Sequence, residues 1–366
     1  MSLRLFSYPG TSRNPYLQLF YEALEPYGVE HDAGFVFSPR WVLSTLGPGD
    51  VLHFHWPEML WSGNKPKRKN ILKLWLMLKA ARLRGVKVIW TVHNFDLFEE
   101  DGTLDRLALQ LLARSSDLLI VHRLPMVEWV RDRFKPSAPV VVMPHGNYGG
   151  YYPAPRPRAE VLGDLGLTED HAVFCCLGRM REYKGLDISC EAIAQLTDDL
   201  GPSAVHLVVA GKPHAGFETA FLEEHAERLP SFSYLPRMIS DQEMIDILSV
   251  SEAIWLPFRQ ITGSGTLLLA WSHGCGVIAS DLEFFREIIP ADSDAGMIIE
   301  RENPQALVDA VRAYLARPRA ERAAAARAEA AKYDWDKCVL DLGAVLRQWQ
   351  GTAPARQPRP DAQPVT

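Results

Sequence analysis

The chain has 366 residues, 47% of them apolar, and a formal net charge of −6. That length is enough for two buried cores. No apolar run approaches the roughly 18–20 residues of a spanning helix, and MSLRLFSYPG is too soon interrupted for a signal peptide, so it reads as a first strand. The five cysteines, Cys175, Cys176, Cys190, Cys275 and Cys338, form no metal-ligand spacing. They read as small core residues in a reducing cytoplasm, with no metal and no cofactor expected.

Strands and helices alternate along the chain. Asn14 and Pro15 read as the N-cap and first residue of a helix reaching Tyr27. Continuous apolar runs predict buried parallel strands at Asp50–Trp56, Val86–His93, Asp117–His122 and Val140–Pro144. Charge is unevenly spread here: residues 1–150 carry 18 basic and 14 acidic side chains, net +4, and the remainder is net −10. Met59 to Phe95 holds nine basic residues and no acidic one. Its centre, KPKRKNILKLWLMLKAARLRG, predicts a basic amphipathic helix suited to an anionic membrane surface, with Lys67, Arg68, Lys69, Lys73 and Trp75 as its contacts. A helix packed on a sheet with a solvated basic face is the alternative; no nucleic-acid motif accompanies the charge.

After the Pro-rich YYPAPRPR the series restarts, with strands at Ala172–Gly178, Val205–Ala210, Phe232–Leu235, Ala253–Phe258 and Gly276–Ser280 and helices at Leu186–Leu196 and Asp241–Ser249. This pattern predicts an α/β protein of two Rossmann-like, doubly wound parallel-sheet domains, residues 1–155 and 156–333, facing a central cleft. Helices at Arg319–Lys332 and Asp334–Gln350 follow, the latter expected to return to the first domain. Residues 351–366 read as a disordered tail.

Ligands of such sheets bind at the carboxyl ends of the strands. In the first half those ends carry His53, His55, Trp56 and Glu58, then His93, Asn94 and Asp96, then His145. These imidazoles and carboxylates suit removal of a proton from a hydroxyl. In the second half they carry Arg179, Arg181 and Lys184, then Gly211 and Lys212, with Leu235 to Met238 placed to meet a base and ribose. LPFRQITGSGTLLLAWSHGCGVIAS reads as strand, turn, helix and strand, placing Ser264, Gly265 and Thr266 at a helix start. Cations with a helix N-terminus suit a diphosphate. Together the halves fit sugar transfer from a nucleotide-sugar, with the leaving diphosphate stabilised electrostatically and without metal. Asp292-Ser293-Asp294 resembles a metal-binding DxD only superficially.

GRMREYKG, MPHGNYGGYY and YLPRMISDQEMIDILSVSEAIWLPF resemble segments of GT-B glycosyltransferases. NPYL, DVLHFHWPE, TVHN, the Arg181–Gly185 loop and LPFRQITGSGTLLLAWS are similar to the xanthan-type GDP-mannose:glycolipid 4-β-D-mannosyltransferase family. That resemblance implies transfer of mannose from GDP-mannose, with inversion, to a polyprenyl-diphosphate-linked oligosaccharide in exopolysaccharide or cell-surface glycan synthesis, by a peripheral enzyme at the inner membrane face. The large retaining group carries two Glu residues, seven apart; here Ile261 and Leu269 stand at or near those positions. The expected roles are Arg179, Arg181, Lys184, Gly211, Lys212, Ser264, Gly265 and Thr266 on the donor and His55, Trp56 and Asn94 on the acceptor. Glu58, His93 or Asp96 would be the base. Alternatives are a retaining transferase using a UDP-sugar, a sugar-nucleotide epimerase, or a binding protein without turnover.

Overall fold

The apolar runs become strands because most of their residues are buried on both faces of two sheets, where alternation would put polar groups in a core. A computed structural model describes residues 2–12, 14–63, 65–93 and 102–352. It divides into one unit of Met1–Gly146 with Trp335–Thr366 and another of Asn147–Asp334. The boundary lies nine residues before the one the Pro-rich segment suggests. The first two residues of the predicted tail, 351 and 352, are helical, and the remainder of the tail, from 353, lies outside the described residues.

The first unit runs β1 (Leu3–Tyr8), α1 (Tyr16–Leu24), β2 (Val29–Asp32), α2 (Pro39–Thr45), β3 (Asp50–Phe54), α3 (Lys67–Leu83), β4 (Lys87–Val92), α4 (Thr103–Ser115), β5 (Leu118–Val121), α5 (Pro125–Phe134) and β6 (Val140–Val142). Its strands form one parallel sheet in the order β2-β1-β3-β4-β5-β6. In register, Tyr8 pairs with Phe54, Phe54 with Trp90 and Val92 with Val121, so the strands end side by side. The first helix starts one residue later than Asn14-Pro15 suggests, because the Asn14 carboxamide accepts from the Tyr16 N–H at 3.0 Å.

The second unit runs α6 (Arg158–Asp164), β7 (Ala172–Leu177), α7 (Leu186–Leu200), β8 (Val205–Ala210), α8 (Ala220–Arg228), β9 (Phe232–Leu235), α9 (Asp241–Val250), β10 (Ser251–Leu256), α10 (Gly265–Ser272), β11 (Gly276–Ser280), α11 (Glu283–Ile288), β12 (Gly296–Ile299), α12 (Pro304–Leu315) and α13 (Arg319–Ala330). Its parallel sheet has the order β12-β11-β10-β7-β8-β9. The chain then closes on the first unit with α14 (Trp335–Cys338) and α15 (Leu340–Thr352).

Helices cover both faces of the first sheet. On one, Phe20 of α1 and Val339, Leu342 and Leu346 meet Leu5, Val51, Ile89 and Ile120. On the other, Leu74, Met77 and Leu78 of α3 and Leu109 and Leu112 of α4 meet Leu52, Phe54, Val88 and Trp90. Each such side chain contributes roughly 1.5–3 kcal/mol of burial, which fixes α3 by its Leu74/Met77/Leu78 stripe and turns its basic face outward.

Candidate active site

In the first unit, four adjacent strands each deliver imidazoles to the carboxyl end of the sheet: His53 and His55 from β3, His93 from β4, His122 from β5 and His145 from β6. Tyr21 of α1 reaches between them. Its hydroxyl lies 2.8 Å from His53 Nδ1 and 2.7 Å from His55 Nε2. His55 Nδ1 is 3.1 Å from His93 Nε2, and His93 Nδ1 is 3.2 Å from His122 Nε2. The chain ends where His122 Nδ1 meets the Met143 carbonyl at 2.9 Å and where His53 Nε2 meets the Thr91 hydroxyl at 2.8 Å.

One carbonyl fixes every proton in this chain. A carbonyl only accepts, so His122 Nδ1 carries hydrogen and its Nε2 accepts. His93 must then donate from Nδ1, His55 from Nδ1 to His93, Tyr21 to His55, His53 from Nδ1 to Tyr21, and Thr91 to His53. All rings are neutral in that arrangement. Burial enforces it, lowering His53 to about 3 and His122 to about 4, and holding His55 and His93 well below their usual range. Both nitrogens of His93 are therefore engaged within the chain. Trp56 stacks on the His93 ring at 4.4 Å, and Tyr16 meets the same ring edge-on at 5.0 Å. His145 donates from Nδ1 to the Gly146 carbonyl at 2.7 Å, which leaves Nε2 as its accepting nitrogen.

Glu58 lies half-buried in the short helical turn Pro57–Leu60 after β3. Burial, and then the charge of Glu58, raise the Tyr8 phenol, so carboxylate and phenol are neighbours. Lys65 donates to the Met59 carbonyl and Asn70 to the Leu60 carbonyl at 2.7 Å, tying that turn to the start of α3. Asn94 and Asp96 lie outside the described residues.

In the second unit the cationic loop follows β7. Gly178 has φ +92, and beyond β8 Gly211 has φ +148; a Cβ on Gly211 would stand 2.1 Å from the Gly178 carbonyl oxygen. Only glycine allows these two loops to touch backbone to backbone. The Met180 N–H then bonds the Lys212 carbonyl at 3.1 Å. Arg179, Arg181 and Lys212 remain exposed, whereas Lys184 turns inward, donating to the Leu177 carbonyl at 2.8 Å with Nζ 5.8 Å from the Phe258 ring. Burial lowers its pKa to about 8.

The segment between β10 and α10 locks onto this loop. The Arg259 N–H bonds the Tyr183 carbonyl at 2.7 Å, and its guanidinium reaches the Glu182 carbonyl at 2.9 Å and both oxygens of Asp187 at 3.1 and 2.6 Å. Ser264 then caps α10, accepting from the Leu267 N–H at 3.3 Å, and Gly265 and Thr266 form its first turn. No acidic residue occupies that turn, so the helix end keeps its positive character. Leu269 is buried in α10. Asp294 of the DxD-like triplet is paired with Arg317, and among the described residues no group of three or more His, Cys, Asp or Glu side chains is arranged to hold a metal.

On α3, Lys67 is drawn into an ion pair with Asp105 at 2.6 Å and Lys73 lies 4.9 Å from the Phe37 ring. Arg68, Lys69 and Trp75 are exposed as expected. The recurrence of histidine at successive strand ends is visible in the sequence, but the bridging role of Tyr21 is not. Arg259 was missed because Asp187 lies 72 residues away in the chain.

Residues 171–317 match the family of group 1 glycosyl transferases. The chain is 27% identical over 275 residues to the GDP-mannose:glycolipid 4-β-D-mannosyltransferase of Xanthomonas campestris pv. campestris, covering 74% of this chain and 71% of the relative. It is 30% identical over 200 residues to the lipopolysaccharide core biosynthesis mannosyltransferase LpsB of Rhizobium meliloti, covering 52% of this chain and 54% of that one. Among solved structures, sucrose-phosphate synthase of Thermosynechococcus elongatus superposes with a TM-score of 0.69 at 16% identity, covering 96% of this chain and 100% of that one. The protein is a glycosyltransferase of the GT-B fold, and residues 171–317 of its second unit match the group 1 glycosyl transferases.

Proposed function

We propose that the enzyme transfers mannose from GDP-mannose, with inversion, to a lipid-linked oligosaccharide at a membrane surface. The likeness to the Xanthomonas enzyme over 74% of the chain carries this reading. The second unit holds the donor diphosphate on Arg181, Lys184 and the α10 N-terminus, with Arg179 and Lys212 beside them and Gly211 fixing the loop. The acceptor hydroxyl attacks the anomeric carbon while the bond to the diphosphate breaks, and GDP leaves with the electron pair. Its charge is neutralised by the same cations.

The hydroxyl proton goes to Glu58. Among the described candidates Glu58 is the carboxylate, whereas His93 has its one accepting nitrogen taken by His55. Trp56 and His93 form a neutral aromatic wall for the acceptor sugar, and the buried His55 backs it from within the chain. Absence of a carboxylate at Ile261 and Leu269 supports inversion over the retaining chemistry of the larger group. The exposed basic face of α3 supports docking on anionic lipid.

Calorimetric titration with GDP-mannose beside UDP-glucose, UDP-N-acetylglucosamine and UDP-glucuronic acid tests the donor. Selective heat with GDP-mannose is expected; preference for a UDP-sugar would overturn the donor assignment. Anomeric configuration of the product, read by NMR, tests inversion.

A further inference from the structure

The carboxyl-terminal ends of α3 and α4 close over the amino-terminal ends of β4 and β5, leaving a groove of about 420 Å³. It is lined by Trp75, Lys79, Arg82, Lys87, Arg114 and Asp117, with Ser115 and Ser116 on the α4 side. This is the end of the sheet opposite the histidine chain. Lys87 and Asp117 pair at 2.7 Å and cancel. Lys79, Arg82 and Arg114 have no carboxylate partner among the described residues.

A bland account of these cations is that they complement two helix C-termini. Arg82 lies in the last turn of α3 and Arg114 in that of α4. Each terminus presents roughly half a negative charge, so three full cations exceed the two dipoles together and the groove stays positive. Such a surplus, concave and beside an exposed indole, suits a phosphate ester.

The surface beside the groove says where that phosphate comes from. Leu72 (57% exposed), Trp75 (40%), Leu76 (43%) and Leu83 (79%) project from α3. Their spacing of three, four and seven residues places them on one helical face, with Arg68 and Lys79 on the same stripe. A helix that buries Leu74, Met77 and Leu78 inward and still shows four large apolar side chains outward has a second apolar neighbour to satisfy. Cations flanking that stripe exclude an apolar protein surface of like charge and match an anionic bilayer.

We propose that this groove holds the phosphate of an anionic phospholipid while Trp75, Leu76 and Leu83 enter the interface beside it. Arg82 and Arg114 grip the headgroup, and α3 lies along the membrane plane. Because the start of α3 is bonded to the Pro57–Leu60 turn, seating the helix sets the height of Glu58 above the lipid surface. This rests on the lipid-linked acceptor proposed above, but binding can be measured without turnover.

The test is co-sedimentation of the full chain with vesicles of phosphatidylcholine alone and with added phosphatidylglycerol. The Arg82→Gln/Arg114→Gln variant should lose about 30-fold in partitioning to the anionic vesicles, the equivalent of about 1 kcal/mol per cation. Arg106→Gln/Arg131→Gln, equal in charge but outside both the groove and the α3 stripe, should lose only a few-fold. Trp75→Ala should weaken binding to both vesicle types. Equal losses for the two charge pairs would reduce the site to a diffuse basic surface and overturn the groove. Calorimetric binding of glycerol phosphate, with equal partitioning of the protein to phosphatidylcholine and phosphatidylglycerol vesicles, would assign the groove to a free phosphate ester and overturn the lipid. Unchanged thermal midpoints show that the variants fold. Calorimetric GDP-mannose binding by the same variants separates failure of this proposal from failure of the donor assignment.

Discussion

Lys184 carries its charge under tension, because burial lowers its pKa to about 8 and the neighbouring Arg181 pushes the same way. A diphosphate beside it favours the ammonium. Below pH 8 the ammonium is already present and donor binding is insensitive to pH. Above pH 8 each binding event must first take up a proton, so affinity falls by up to about tenfold per pH unit. Calorimetry of GDP in buffers of different ionisation heat should show proton uptake above pH 8 and none well below it. Lys184→Met should bind more weakly and lose that dependence; an unchanged dependence would place the titrating group elsewhere. The imidazoles obey the opposite logic, since burial keeps them neutral. Glu58→Gln should cost kcat about 10²–10⁴-fold, the usual range for a lost general base, with donor affinity unchanged. His93→Gln should cost far less, because its accepting nitrogen is already used. Equal losses in single-turnover assays would instead make His93 the base.

At the scale of elements, Arg259 does what no side chain of the cationic loop after β7 does for itself. It joins the exit of β10 to the Glu182–Lys184 turn and to the first turn of α7 through one backbone and three guanidinium hydrogen bonds. Gly185 completes the lock: at φ +63, with the Pro257 oxygen 2.1 Å from where a Cβ would stand, it admits no other residue. Arg259→Ala should therefore raise donor KM by about tenfold with a smaller change in kcat, since it loosens Arg181 and Lys184 without touching the acceptor side. Arg259→Lys keeps the charge but not the fork, so it should recover only part of the loss. Recovery in full would mean that charge, not geometry, matters. This lock was not legible in the sequence because its partners are distant in the chain. The central strands were legible because burial on both faces writes them as continuous apolar runs, whereas β2 and β12 were not. Each is a four-residue edge strand, and β2 buries only Val29 while exposing Glu30 and His31. The cationic loop and the α10 turn were legible because glycine and charge cluster locally. The histidines were visible singly, but their linkage through Tyr21 depends on register between strands.

For the whole molecule, the histidines make the two units respond differently to acid. In the first, burial lowers His31, His53, His55, His93, His122 and His145; in the second it lowers His206 and His273, each to about 4. An unfolded histidine titrates near 6.5, so between pH 6.5 and about 4 the unfolded chain binds protons that the folded chain refuses. Stability then rises with pH across that window and is lost as pH falls, by up to about 1.4 kcal/mol per pH unit for each histidine. Above 6.5 these groups contribute no slope. The carboxylates held low in the second unit act further down: Glu243, lowered to about 2 by its bonds to Arg237 and Ser240, loses its contribution only below about 4.5. With six such imidazoles against two, acidification should melt the first unit ahead of the second. Scanning calorimetry from pH 7 towards 4.5 should resolve an early transition that moves down steeply and a later one that moves little. Added GDP should raise only the later one, since a ligand stabilises the unit that binds it. Hydrogen exchange followed by peptide mapping assigns the units if the transitions overlap. Transitions that fall in parallel would mean that the histidine chain opens to water and protonates before unfolding, and that its neutral, one-directional order is not what holds the strand ends of the first sheet together.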